Sequence, residues 1–233
     1  MNTLLAVIEV KARSGKGCVQ ENGFCPSWIV DNFDRYVAPF WQHVYLTLVS
    51  VGIGFAIAFT LALIAHRNRW LVGPITGITG VLYTVPSIAA FLLLLPITGR
   101  GNTTAIIALV SYTLLIIFRN VTTGLRNVPE EMRDAGRGMG LTDRELLWKV
   151  ELPLAVPEIL AGLRIAVTTT VGLATLAFFA GAGGLGQEIY ADIAFKSNVV
   201  AAGGLAVLLA AVLDIFILTF QRLVTPWRRA VAT

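Results

Sequence analysis

DAGRGMGLTDRELLWKVELP, residues 134–153, is a polar cassette set between two long apolar stretches. Helix-favouring residues run from Glu130 to Arg137, and Gly138 and Gly140 then interrupt the run. Thr142 followed three residues later by Glu145 has the pattern of a capping box, in which each side chain satisfies the other residue's backbone N–H. A second short helix is therefore expected from Thr142, ending before Pro153. The shape implied is helix, glycine corner, helix. Too polar to enter lipid, such an elbow is expected to protrude from a bilayer as a rigid knob that another protein can grip.

Outside the cassette the chain is greasy. Of its 233 residues 56% are hydrophobic and only 14% charged, whereas a soluble domain carries about 25% charged residues. A helix crossing about 30 Å of hydrocarbon needs about 20 residues, and five stretches are candidates: 41–65, 72–97, 103–118, 157–180 and 199–220. All are read as helices, because unpaired backbone groups cannot face lipid and no stretch alternates as a barrel strand does. The fold class expected is an all-α membrane protein with five transmembrane helices and a cytoplasmic elbow over 120–153.

Basic residues fix the orientation expected of the spans. With the elbow inside, that face holds Arg67 and Arg69, then Arg119, Arg126, Arg133, Arg137, Arg144 and Lys149, and finally Arg222, Arg228 and Arg229. The other face keeps only Arg35, Arg100 and Lys196 close to a span. The carboxyl terminus, 227–233, is then a cytoplasmic tail, and an odd number of spans puts the amino terminus outside. This asymmetry accounts for the net charge of +4 without nucleic acid as a partner; membrane lipid suffices.

Residues 1–39 are expected to form an extracytoplasmic tail ahead of a transmembrane domain over 40–226. Residues 4–10 are too short and interrupted to span, and no cleavage site follows a proper apolar core, which argues against a removed signal peptide. Cys18 and Cys25, the only cysteines, leave two readings open: a disulfide formed in an oxidising compartment, or two free thiols.

Within the spans, Tyr83, Thr84, Pro86 and Ser87 mark a proline that bends or breaks the second helix, a feature that often lines a pathway. Thr168 and Thr175 add hydroxyls to the fourth span, and Phe178, Gly181 and Gly183 lead into a glycine-rich run at the outer mouth. That run, 181–186, formally matches G-x-G-x-x-G. It follows a membrane helix instead of a strand in a βαβ unit, so dinucleotide binding is rejected. Arg164 and Asp214 lie inside apolar runs, where charges are paired or functional; the expectation is a pair across helices, with Glu158 as a competing partner and snorkelling of Arg164 as the alternative. His43 and His66 sit near opposite ends of the first span and make neither a metal site nor a triad. With no P-loop and no catalytic arrangement the chain is not expected to be an enzyme, and no inverted repeat suggests an ion-coupled carrier.

The cassette resembles the elbow signature of ATP-binding-cassette (ABC) importer permeases, a Glu-Ala-Ala triplet, then Gly after three residues, then Ile-x-Leu-Pro after nine more. Here the register is kept by Asp134-Ala135-Gly136, Gly140 and Val150-Glu151-Leu152-Pro153. Segments 83–89, 95–101, 105–109, 118–120, 123–124 and 181–186 are similar to the branch that imports glycine betaine, carnitine, choline and related osmoprotectants. The resemblance implies the type I importer permease fold in the bacterial inner membrane and ATPase docking through Asp134, Ala135, Gly136, Gly140, Leu141, Thr142, Glu145 and Pro153. It also implies cytoplasmic ATPase subunits that carry the ATP and Mg, a second permease copy (identical or a sister chain) and an extracytoplasmic solute-binding protein. Asp134 and Gly136 depart from the usual Glu and Ala; the glycine is expected to loosen the first elbow helix by about 1 kcal/mol. Rival readings are a permease for an amino acid, an ion-driven carrier and a membrane scaffold.

Overall fold

The computed structural model describes residues 17–226, and every regular element among them is helical. After a short turn at Gly17–Val19 come α1 (Pro26–Asp31), α2 (Asp34–Arg67), α3 (Val72–Thr84), α4 (Ser87–Thr98) and α5 (Asn102–Arg126). The elbow follows as α6 (Glu130–Gly138) and α7 (Asp143–Leu146), then α8 (Leu152–Ala174), α9 (Leu185–Ala191) and α10 (Lys196–Val224). The segments 4–10 and 227–233 lie outside the described residues.

α5 is the central helix. In its most apolar stretch 61% of the residues are buried, against 33% in α2 and 22% in α10. Ala58, Ala62 and Ala65 of α2 lie against Ile117, Phe118, Val121 and Leu125 of α5, with Leu152, Ala155 and Ile159 of α8 closing the same core. Small residues let these helices approach closely, which drives association where lipid offers no hydrophobic contrast. A Cβ on Gly54 of α2 would meet Thr113 Oγ1 at 1.8 Å, and one on Gly162 of α8 would meet Asn120 Cβ at 2.3 Å.

By length and composition α2, α5 and α10 can each cross a membrane, and the bent pair of α3 and α4 makes a fourth candidate. α8 is long enough, but Glu158, Arg164 and three consecutive threonines dilute its apolar character. His66 at the end of α2 lies 2.9 Å from Glu151 Oε2, and Gln221 of α10 donates to the carbonyl of Pro157 at 3.2 Å.

The second stretch, 72–97, does break where Pro86 is expected to break it, at Val85–Pro86, into two helices inclined by 96°, because Pro86 cannot donate and forces an extended residue before it. Val85 is extended, and its carbonyl accepts from Tyr112 Oη at 2.5 Å. Other boundaries differ from the sequence expectation. The third stretch runs on to Arg126 instead of stopping at Phe118, because buried Val121 and Leu125 keep packing beyond Arg119. The fourth begins at Leu152 and ends at Ala174, with a separate tight turn at Ala177–Ala180.

The described residues ahead of α2, 17–33, form a cap. Cys18 and Cys25 are joined in a disulfide, with Cα atoms 6.0 Å apart. The Cys25 N–H donates to Ser197 Oγ at 2.6 Å, Tyr36 Oη donates to Asn198 Oδ1 at 2.8 Å, and Trp28 meets Phe195 edge-on at 4.7 Å. Residues 25–36 are thus fixed to the start of α10.

Candidate functional site

The elbow forms as its caps dictate. α6 ends at Gly138, and Gly140 takes φ +81°, the left-handed conformation that closes a helix. The Leu141 N–H donates to the Gly136 carbonyl at 3.2 Å and the Gly140 N–H to the Arg137 carbonyl at 2.9 Å, a complete Schellman closure. Nothing lies within 4 Å of a Cβ placed on Gly140, so glycine is required there by backbone conformation alone. Gly138 stays helical.

Across the corner the capping box is present. The Glu145 N–H donates to Thr142 Oγ1 at 3.4 Å, and the Thr142 N–H donates to Glu145 Oε2 at 3.1 Å. Lys149 donates to Glu145 Oε1 at 2.8 Å; this bond and the Thr142 bonds pull the Glu145 carboxyl down to about 2.

The second elbow helix does not end before Pro153. α7 passes through a π turn, Leu147–Glu151, straight into α8. Pro153 stands at the start of α8, where the wider turn behind it leaves room for its ring and a missing N–H is tolerated. α7, the π turn and α8 form one continuous rod.

Gly136 does more than loosen α6. It is buried, and a Cβ there would meet Leu146 Cδ1 at 2.6 Å, so the glycine admits the side chain that packs α7 under α6. Asp134 and Ala135 face outward. Met132, Met139 and Trp148 are exposed at 51%, 73% and 54%, apolar side chains among the elbow's charged ones.

Behind this ridge is a network the sequence did not reveal. Glu151, 5% exposed, accepts from Arg133 Nε at 2.7 Å and lies 2.9 Å from His66 Nε2. Arg133 also donates to the Leu125 carbonyl at 2.7 Å and to Glu130 Oε2 at 2.9 Å. Burial works against the Arg133 charge, but its bonds to Glu130 and Glu151 outweigh it and raise its pKa; the same contact holds the Glu130 carboxyl below its usual range. The network ties α6, the π turn, α5 and the end of α2 into one unit. Beside it open two adjoining cavities of about 530 and 430 Å³ that share His66, Arg69, Glu130 and Arg133.

The sequence-picked pathway residues fall into separate groups. Tyr83 packs edge-on to Tyr112 at 6.1 Å beside the Pro86 break, and Thr84 donates to the Val81 carbonyl. Thr175, Phe178 and Ile88, the neighbour of Ser87, line one apolar cavity, where Phe178 stacks on Phe179 and Tyr190. Gly181 and Gly183 take positive φ in the loop before α9. Thr168 lies apart, beside the Arg164 and Asp214 pair. That pair is bidentate at 2.8 and 2.7 Å, joining α8 to α10.

The histidines lie apart as their positions imply. His43 is buried, its Nε2 3.0 Å from the Val171 carbonyl, while His66 joins the elbow network.

Residues 50–230 match the family described as binding-protein-dependent transport system inner membrane component. The choline transport system permease protein OpuBB of Bacillus subtilis (strain 168) is 36% identical over 188 residues, covering 80% of this chain and 87% of that protein. The osmoprotectant import permease protein OsmW of Salmonella typhimurium is 36% identical over 206 residues, covering 85% and 96%. Among solved structures, an inward-facing form of the MetNI methionine ABC transporter superposes with a TM-score of 0.69 at 26% identity, over 82% of this chain and 95% of that one.

Proposed function

This chain belongs to the family of binding-protein-dependent transport system inner membrane components, and on that footing we propose that it is the permease subunit of an ATP-driven importer of osmoprotectants of the glycine betaine, choline and carnitine type. The observation that carries the coupling role is the elbow, a capped corner continuous with α8 and latched to α2 through Glu151. ATPase subunits dock on its outward ridge around Asp134, Ala135, Gly140, Thr142 and Glu145, with Met139 and Trp148 entering the partner. Gly136, Leu141 and Pro153 shape the ridge from behind. ATP and Mg belong to those subunits.

On this reading the elbow and 227–233 are cytoplasmic and the disulfide-bonded cap is outside, where an oxidising compartment suits its bridge. The outer rim receives the solute-binding protein. A second permease copy covers part of the exposed apolar surface of α3, α4 and α10, which includes Ile78, Leu93 and Val207. Tyr83, Thr84, Pro86, Ser87, Thr168, Thr175, Phe178, Gly181 and Gly183 are proposed to border the pathway between the copies.

The test is reconstitution in vesicles with an ATPase and a solute-binding protein. Uptake of glycine betaine or choline that requires ATP and both partners is expected. Uptake driven by a sodium or proton gradient through this chain alone overturns the reading, as does labelling that places Trp148 on the face opposite the ATPase.

A further inference from the structure

Ionised side chains at bilayer depth face the interior of a bundle or a water-filled cavity. Arg164 and Asp214 sit well inside α8 and α10, yet 30% and 29% of their side chains are exposed. The shallow cavity of about 230 Å³ that uncovers them is lined also by Ala161, Ile165 and Thr168. Arg164 and Thr168 of α8 and Thr175 at its C-cap recur at i, i+4 and i+11, one face of the helix and its cap. Thr175, about 10 Å further along, enters the cavity of about 290 Å³ where Phe178 and Tyr190 stack at 4.8 Å. An ion pair, then two threonines, then the aromatic faces of an apolar cavity follow one another along this stripe, and the ion pair is unsuited to lipid tails.

We propose that this face of α8 is the wetted wall of the solute pathway and that Arg164 and Asp214 are its recognition station for a zwitterion. The inference rests on the permease reading above. A betaine carries a quaternary ammonium and a carboxylate on one small skeleton. Asp214 meets the ammonium and Arg164 the carboxylate, so each exchanges its present partner for the solute's opposite end and no charge is left unpaired. The aromatic faces of Phe178 and Tyr190 offer the ammonium a cation–π contact on the same wall. Choline has the cation without the carboxylate and engages Asp214 only.

The chemistry sets an asymmetry. In the assembled transporter with saturating binding protein, Arg164→Gln lowers glycine betaine uptake about tenfold or more, the loss of a charge-assisted hydrogen bond, and lowers choline uptake far less. Asp214→Asn lowers both. Wetting is read separately. Both native cysteines are in the disulfide, so Thr168→Cys or Thr175→Cys introduces the sole free thiol of the chain. Each is expected to react with a membrane-impermeant trimethylammonium thiosulfonate, more slowly when solute is present, whereas Ile57→Cys on the exposed apolar side of α2 does not react. Thiols at both 168 and 175 that stay unreactive with and without ATP overturn the proposal. So does an Arg164→Asp, Asp214→Arg double variant that carries both solutes at wild-type rates, since the pair is then only a strut. Failure of the permease reading looks different: the unmodified complex moves no quaternary amine with ATP.

Discussion

Removing Glu151 should uncouple the elbow from the membrane helices more than any other single change in that region. Its carboxylate is the shared acceptor for Arg133 and His66, and the Glu151 and Arg133 side chains are 7% and 11% exposed. Deleting one partner of a buried ion pair costs about 3–5 kcal/mol, because the remaining charge is left without compensation. Here Arg133 keeps the Leu125 carbonyl and Glu130, and the neighbouring cavity admits water. That places Glu151→Ala at or just below the lower end, about 2–3 kcal/mol. Glu151→Gln retains one acceptor oxygen and the shape, and should lose about half as much. The deciding measurement is a double-mutant cycle with Arg133→Met and Glu151→Leu, read by equilibrium unfolding in detergent. The double variant should be more stable than the sum of the single losses predicts, by about 2 kcal/mol. Solute-stimulated ATP hydrolysis by the assembled complex should fall with Glu151→Ala and recover in part with Glu151→Gln. Strict additivity in the cycle would refute the argument, since the two side chains would then contribute independently.

At the corner, Gly140→Val should cost about 1–2 kcal/mol from left-handed strain and cut ATP-driven uptake at unchanged membrane abundance, whereas Gly140→Asn, which tolerates that conformation, should retain most of it. Gly136→Ala sets a helix-propensity gain of about 1 kcal/mol against a 2.6 Å approach to Leu146 Cδ1; unfolding should show near-neutral stability, and a clear gain if Leu146→Ala is added to the Gly136→Ala background relative to Leu146→Ala alone. Gly186→Ala should be among the most damaging substitutions in the chain, because its Cβ would fall 1.6 Å from the Thr175 backbone oxygen, and little folded protein should be recovered in a detergent size-exclusion profile. The Glu145 carboxyl, lowered from 4.5 to about 2 in the folded elbow, contributes stability that is present above pH 4.5 and is lost as pH falls toward 2; comparing wild type with Glu145→Gln across that range should show the difference shrinking as the solution becomes more acidic.

The elbow was legible because its determinants are local. The Thr142 and Glu145 box and the Gly140 closure act over three to six residues, and the residue types that form them are few. The latch behind it was not. Glu151 reads as an ordinary interface charge in the sequence, and only the fold brings it to Arg133 and to His66, 85 residues away. Apolar runs located the membrane helices, but hydropathy stops where polarity begins and not where a helix ends, so Arg119 hid the last turns of α5. Pro153 misled for a related reason: its penalty depends on the register of the preceding turn, and a π turn changes that register. The Arg164 and Asp214 pair was legible because two opposite charges in apolar surroundings have few other options, while the choice between bridged and free cysteines needed the packing of Cys25 against Ser197.

From Asp143 to Ala174 the chain has no loop in which motion can dissipate, only the five-residue π turn Leu147–Glu151. A rod of that span is roughly 45 Å long. Rocking it by about 5° displaces its far tip by about 4 Å, about three quarters of one helical pitch. The stroke demanded of a nucleotide-driven partner is therefore short, and its amplitude at the outer mouth is set by the length of the arm. Shortening or softening that arm, by a glycine pair inserted in the π turn, should leave the motor turning over while the gate hardly moves.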